Sequence, residues 1–182
     1  MTVVRRSQKL FKRLRPAPVL AEPSLGDNPL GEWCADMDFI DREPFLVLMN
    51  ACSGTILVLP GRAADLKRLH EMAAEQLAGL FSACRIHSAS ATAELDAWQQ
   101  PPTYTRNSNR SLVASMNQRK FEAWTQFAYN GLSAFDVAVR LLETPISRKD
   151  LGRDFNFAPD LLRKHLMPSA TVIPLFTDRR LN

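Results

Sequence analysis

Thr105-Arg-Asn-Ser-Asn-Arg-Ser-Leu-Val-Ala-Ser-Met-Asn117 crowds hydrogen-bonding side chains ahead of and along an apolar-striped run. If a helix opens at Arg110, its first N–H groups have no intrahelical acceptor and the helix dipole favours negative charge beside them. Arg106 and Arg110 next to those donors suit a phosphate or a carboxylate, and Ser111 and Ser115 add hydroxyls. At 100° per residue Arg110 and Asn117 lie only about 20° apart. Both are then expected at the border of an apolar arc made by Leu112, Val113, Met116, Ala123, Trp124 and Phe127. The same residues also suit an ordinary helix start. Asn109 or Ser108 is a good N-cap, Arg110 has Asp36 and Asp38 as candidate ion-pair partners, and polar residues at such a boundary more often bond locally than recognise a ligand.

Other groups with chemical potential are weaker. Asp36, Asp38, Asp41 and Glu43 are the densest carboxylates and suit a hard cation or a general base, but no oxygen-ligand loop pattern accompanies them. The solvated side of an edge strand is the favoured reading of them. His70-Glu-Met-Ala-Ala-Glu75 begins like a zinc-protease helix, yet Ala74 stands where the second histidine is needed, so that chemistry is rejected. Cys34, Cys52 and Cys84 form no C-x-x-C pair, are odd in number and read as reduced, buried thiols; a catalytic cysteine needs a base, and no pairing with His70, His87 or His165 is visible. Seven glycines make neither a G-x-G-x-x-G nor a P-loop, and there is no G-x-S-x-G elbow. Trp33 follows a turn-like Asn28-Pro-Leu-Gly-Glu and has two readings, a place beside the polar locus or a core anchor.

The elements that must hold these residues are partly explicit. Trp33 to Ile40 alternates with period 2, Asp41-Arg-Glu-Pro44 is a turn, and Phe45–Met49 and Thr55–Leu59 are continuous apolar strands joined by Asn50-Ala-Cys-Ser-Gly54. Three antiparallel strands follow. Helical spacing predicts one helix over Ala63–Cys84, a short one over 91–99, a helix from 109 or 110 to about Tyr129 closed near Gly131, and a short one over 160–167. Thr103–Arg106 reads as extended, as does 171–176. Residues 133–142 fit either alternation or a helix, and their β-branched content favours a strand. The expected fold is a single α+β domain over 1–182, an antiparallel sheet covered by helices, with a proline-rich linker at 16–30 and a loose tail at 171–182.

Charge is concentrated at one end. The chain of 182 residues carries a formal net charge of +4, yet Arg5, Arg6, Lys9, Lys12, Arg13 and Arg15 all fall within residues 1–15, which contain no acid. The body is therefore nearly neutral. Such an opening suits nucleic acid, an anionic membrane or a transit peptide. A structural reading is favoured: Val3-Val4 as a short strand, Ser7 as a cap, and Leu10, Phe11 and Leu14 as the inward face of a helix. No apolar run approaches the roughly 18 residues that span a bilayer, and no secretory h-region opens the chain, so a cytoplasmic protein with no membrane association is expected.

The segments Ser7-Gln-Lys-Leu10, Asn28-Pro-Leu-Gly-Glu-Trp33, Leu48-Met-Asn50, Asn109-Arg-Ser-Leu112, Ser115-Met-Asn117 and Leu141-Leu-Glu-Thr-Pro145 occur in succession. By these the chain resembles an uncharacterised family of small bacterial proteins, a domain-of-unknown-function group. It departs from that pattern at Ala114, where glycine is usual, and at Gln118, where an acid is usual. The resemblance implies a single α+β domain with Lys9, Asn50, Arg110, Ser111 and Asn117 as the polar positions of interest, and it implies no activity. The functional expectation is a non-catalytic binding or interaction domain, with no cofactor and no metal, recognising an anionic group or a protein partner through Lys9, Asn50, Arg106, Asn109, Arg110, Ser111 and Asn117. One alternative is a small hydrolase or transferase acting on a phosphorylated substrate, with Arg110 and Lys9 neutralising charge and an aspartate from 36–41 as base. The other is nucleic-acid binding through the basic opening.

Overall fold

Phe45-Leu-Val-Leu-Met49 and Ile56-Leu-Val-Leu59 are apolar at every position, a pattern rewarded only where a strand is covered on both faces. In the computed structural model, which describes residues 1–14, 27–107, 110–146 and 155–168, they are β3 (Glu43–Asn50) and β4 (Ile56–Pro60), and both are buried almost throughout. β2 (Trp33–Ile40) runs antiparallel to β3 from Trp33 opposite Asn50 to Ile40 opposite Glu43. The β2–β3 turn is tight: Asp41 and Arg42 both take positive φ, 45° and 71°, as a two-residue hairpin with the right twist requires. At the β3–β4 hairpin Gly54 supplies the left-handed residue with φ 69°.

The sheet has five strands in the order β4-β3-β2-β1-β5, with β1 at Val3–Arg6 and β5 at Thr103–Arg106. The α+β class holds. The antiparallel arrangement holds for β2, β3 and β4, whereas β1 lies parallel to both β2 and β5, making the sheet mixed. The reason is long-range. The chain between β1 and β2 is long enough to cross back to the same end of the sheet, and pairing direction leaves no local trace in the pattern.

After β1, Ser7 caps the short helix α1 (Gln8–Phe11), its Oγ accepting from Leu10 N–H at 3.1 Å, and Leu10 is fully buried. The helix over Ala63–Cys84 is interrupted: Arg68 N–H bonds Asp65 O at 2.9 Å, closing α2 (Ala63–Lys67), and α3 (Leu69–Ala83) restarts beyond it. Then come α4 (Ala89–Ala97), α5 (Arg110–Asn130), α6 (Ala134–Leu142) and α7 (Ala158–Leu166), which opens ahead of Pro159 because proline is tolerated in a first turn. The extended piece and tail expected from 171 onward, and most of the 16–30 linker, lie outside the described residues.

α6 corrects the strand expected at 133–142. Ser133 Oγ accepts from Asp136 N–H at 3.2 Å as an N-cap, and Val137, Ala138, Leu141 and Leu142 are buried at helical spacing against β4 and α5. Capping and packing outweigh the β-branched content. Side chains alternate across the sheet, so α5 and α4 take opposite faces. Phe127 on α5 meets Phe45 at 5.3 Å between ring centroids, while Trp33 points the other way and meets Trp98, the residue that closes α4, at 5.6 Å.

Candidate functional site

The expected site residues do not gather at one point. Lys9, on α1, is exposed and pairs with Asp38 at 3.0 Å. Asn50 is fully buried and used internally: its Nδ2 donates to Leu30 O at 2.9 Å and Glu32 O at 3.2 Å, and its Oδ1 accepts from Cys52 N–H, Ser53 N–H and Ser53 Oγ–H. Both amide hydrogens are thereby committed to folding the hairpin and the 28–32 turn. Arg106 is exposed at the end of β5, and Arg110, Ser111 and Asn117 are exposed on α5. Asn109 lies outside the described residues.

The geometry of α5 differs from the expected one. Its buried stripe is Leu112, Met116, Arg119 and Ala123, whereas Val113 is exposed. On a 100° wheel Arg110 and Asn117 share a side, but roughly 130–150° from the middle of that stripe, so they face outward and do not border the core. The unexpected member is Arg119. Its guanidinium donates to Glu122 Oε2 at 2.6 Å and to Pro145 O at 2.9 Å, which lets a charged residue occupy the inner face.

Beneath the start of α5 the structure builds a different polar cluster. Lys120 Nζ meets Asp36 Oδ2 at 2.5 Å with both side chains almost buried, and Ser7 Oγ donates to the other carboxylate oxygen, which also accepts from Met37 N–H at 2.8 Å. Thus the cation that reaches Asp36 is Lys120, and the one that reaches Asp38 is Lys9. Ser7, Gln8, Ala35, Asp36, Asn107, Val113 and Met116 line a cavity of about 190 Å³ beside this cluster, a lining that includes neither Arg110 nor Asn117. The basic opening is likewise folded into the domain. Arg5 forms a two-point pair with Glu32 at 2.6 Å, and Arg6 is buried with its guanidinium 3.5 Å over the ring of Phe11.

Two arrangements had no sequence signal. Glu94 on α4 is fully buried and accepts from Asn28 Nδ2, Leu30 N–H and the indole N–H groups of Trp33 and Trp98 at 2.8–3.3 Å. Burial pushes its carboxyl above the ordinary range, against the pull of these four donors. Trp33 is therefore a core anchor. Cys34 and Cys84 are buried, but Cys52 is half-buried and touches His165, with Sγ 2.9 Å from Nε2. The two residues are 113 positions apart, so spacing could not reveal the pair. Among the described residues no group of three or more His, Cys, Asp or Glu side chains is arranged to hold a metal, and no helix is long and apolar enough to cross a membrane.

The outer side of α5 carries two of the most exposed aromatic groups among the described residues. Phe121 is 68% and Tyr129 76% exposed. Trp124 stacks on Phe121 at 6.5 Å with 15° between ring planes and meets Tyr129 edge-on at 6.0 Å. Arg110, Asn117 and Phe121 fall within about 40° of one another on the helix. A family model described as a domain of unknown function, DUF6933, matches residues 3–157. The chain belongs to that family. The DUF6933 segment includes the whole sheet, α5 and α6, and ends just before α7. No curated protein and no solved structure matches the chain.

Proposed function

We propose that this DUF6933 domain is a non-catalytic interaction module that docks a protein partner on the outer face of α5. The carrying observation is the exposed pair Phe121 and Tyr129, both in ring contact with half-buried Trp124, on a 21-residue helix whose opposite side is locked into the core. Exposed aromatic groups that are already ordered lose little conformational freedom on binding, and such residues dominate the energetics of protein interfaces. Arg110 and Asn117 extend the same face toward the start of the helix, where an acidic and hydrogen-bonding group of the partner fits. The carboxylates of β2 are held by Lys9, Lys120 and Ser7, an arrangement that suits a structural role better than a general base. Pairing of Arg5 with Glu32 and burial of Arg6 also favour a protein over nucleic acid as the partner. A cytoplasmic bacterial setting fits three cysteines with no disulfide among them.

A photo-crosslinking residue placed at Phe121 in the cell of origin should yield one discrete adduct that the same residue at exposed Lys67 does not. The adduct should disappear on Arg110→Glu. Phe121→Gln should change stability by no more than about 0.5 kcal/mol, as for other surface positions, so loss of the partner would not reflect unfolding. Equal labelling from both positions, or an adduct indifferent to Arg110→Glu, refutes the assignment.

A further inference from the structure

The contact between Cys52 and His165 lies away from the α5 face and has its own opening. Cys52 sits in the β3–β4 hairpin, and with Ala51 it forms one wall of a cleft of about 390 Å³ whose other walls are Asn28, Pro29, Leu30, Gly31 and Glu32. His165 reaches Sγ from α7. That helix is fixed independently of the thiol, by Ser88 Oγ–H donating to Leu166 O at 2.6 Å and by Arg163 donating to Cys84 O at 3.2 Å. A second observation marks the cleft as incomplete: Asn28 lines it, is 6% exposed, and its buried Oδ1 accepts no hydrogen bond, although its Nδ2 is bound to Glu94 and Gly31. Buried acceptors are otherwise paired, so the wall of this cleft keeps an unused hydrogen-bonding group.

We infer that Cys52 is a reactive thiol which exchanges with small-molecule disulfides seated in this cleft, His165 taking its proton. His165 Nε2 accepts the proton of Sγ–H, and the thiolate attacks one sulfur of R–S–S–R. The S–S bond of the guest breaks as the Cys52 Sγ–S bond forms, and the departing R–S⁻ takes the proton from His165 and leaves as R–SH. Cys52 is oxidised to a mixed disulfide, and half of the guest is reduced. Burial and the neighbouring Lys164 hold His165 below the ordinary histidine range, so at neutral pH it is an uncharged acceptor.

Disulfide exchange suits the hairpin better than acyl transfer. Tetrahedral oxyanions need N–H donors beside the nucleophile. Here those groups are occupied: Ala51 N–H bonds Glu32 O, the N–H groups of Cys52 and Ser53 bond Asn50 Oδ1, and Gly54 N–H bonds Asn50 O. Attack on sulfur develops no oxyanion. Cys52 lies within the DUF6933 match and His165 beyond it, so the pairing is argued for this chain alone.

The test treats the full chain with 5,5′-dithiobis(2-nitrobenzoate) at about pH 6.5, where an ordinary thiol is almost wholly protonated. One thiol per chain should react at least about 10-fold faster than the thiols of the chain unfolded in guanidinium, and peptide mass spectrometry should place the adduct on Cys52. Cys52→Ser should remove the fast phase, and Cys34→Ser and Cys84→Ser should keep it. His165→Gln should slow it by about 10-fold or more, in keeping with loss of a general base. Ser88→Ala loosens α7 but keeps the imidazole, and should leave the rate within about 2-fold of wild type. A wild-type chain with no fast thiol, a fast adduct on another cysteine, a rate unchanged in His165→Gln, or an equal loss in Ser88→Ala each overturns the inference.

Discussion

Glu94 shows how a single carboxylate organises the face of the sheet opposite α5. It draws together the 28–32 turn, the first residue of β2 and the end of α4, all through neutral donors. Glu94→Ala would strand four buried N–H groups and should lower the unfolding free energy by about 3–5 kcal/mol, measured by chemical denaturation. The pH dependence has a definite sign. Because burial raises the folded-state pKa of Glu94, the folded chain keeps a proton there that the unfolded chain releases near the ordinary value of 4.5. Its contribution is full below that value and is lost as pH rises through the folded pKa. The stability of wild type relative to Glu94→Gln should therefore fall across that interval, and a flat or rising difference contradicts the direction of the shift.

Among the elements, α6 tests whether capping decides between helix and strand. Ser133→Ala removes the side-chain acceptor for Asp136 N–H and should cost about 1 kcal/mol, read as a lower denaturation midpoint. A neutral effect would leave packing alone to explain the helix. The strands β2, β3 and β4 were legible because alternation and unbroken apolar runs are local signals, and the helix at α5 was legible from its periodicity. Its orientation was not. Val113 had the composition of a core residue yet is exposed, while Arg119 took an inward position made tolerable by Glu122 and the Pro145 carbonyl, partners 3 and 26 residues distant. The outward direction of Arg110 and Asn117 followed from that substitution of one residue for others on the inner stripe.

For the whole molecule, the basic opening proves to be an interior strand of the sheet. β1 is bonded to β2 on one side and β5 on the other, and Thr2, Val3 and Val4 are fully buried. Removing residues 1–7 should abolish cooperative thermal unfolding, whereas Lys12→Gln with Arg13→Gln, both exposed, should leave the midpoint nearly unchanged. A truncated chain that still melts cooperatively would show that β2 and β5 can close without it. Sequence spacing exposed the strand and the cap at Ser7, but its parallel partners lie about 30 and 100 residues away and could not be read locally. The same distance hid Cys52 from His165.

The strand order also dictates a schedule for synthesis. β1 leaves the ribosome roughly a hundred residues before β5, so for several seconds of translation one of its margins presents unsatisfied amides and carbonyls. Neighbouring nascent chains on a polysome carry the same segment. Holdase chaperones are a natural safeguard against their sticking together.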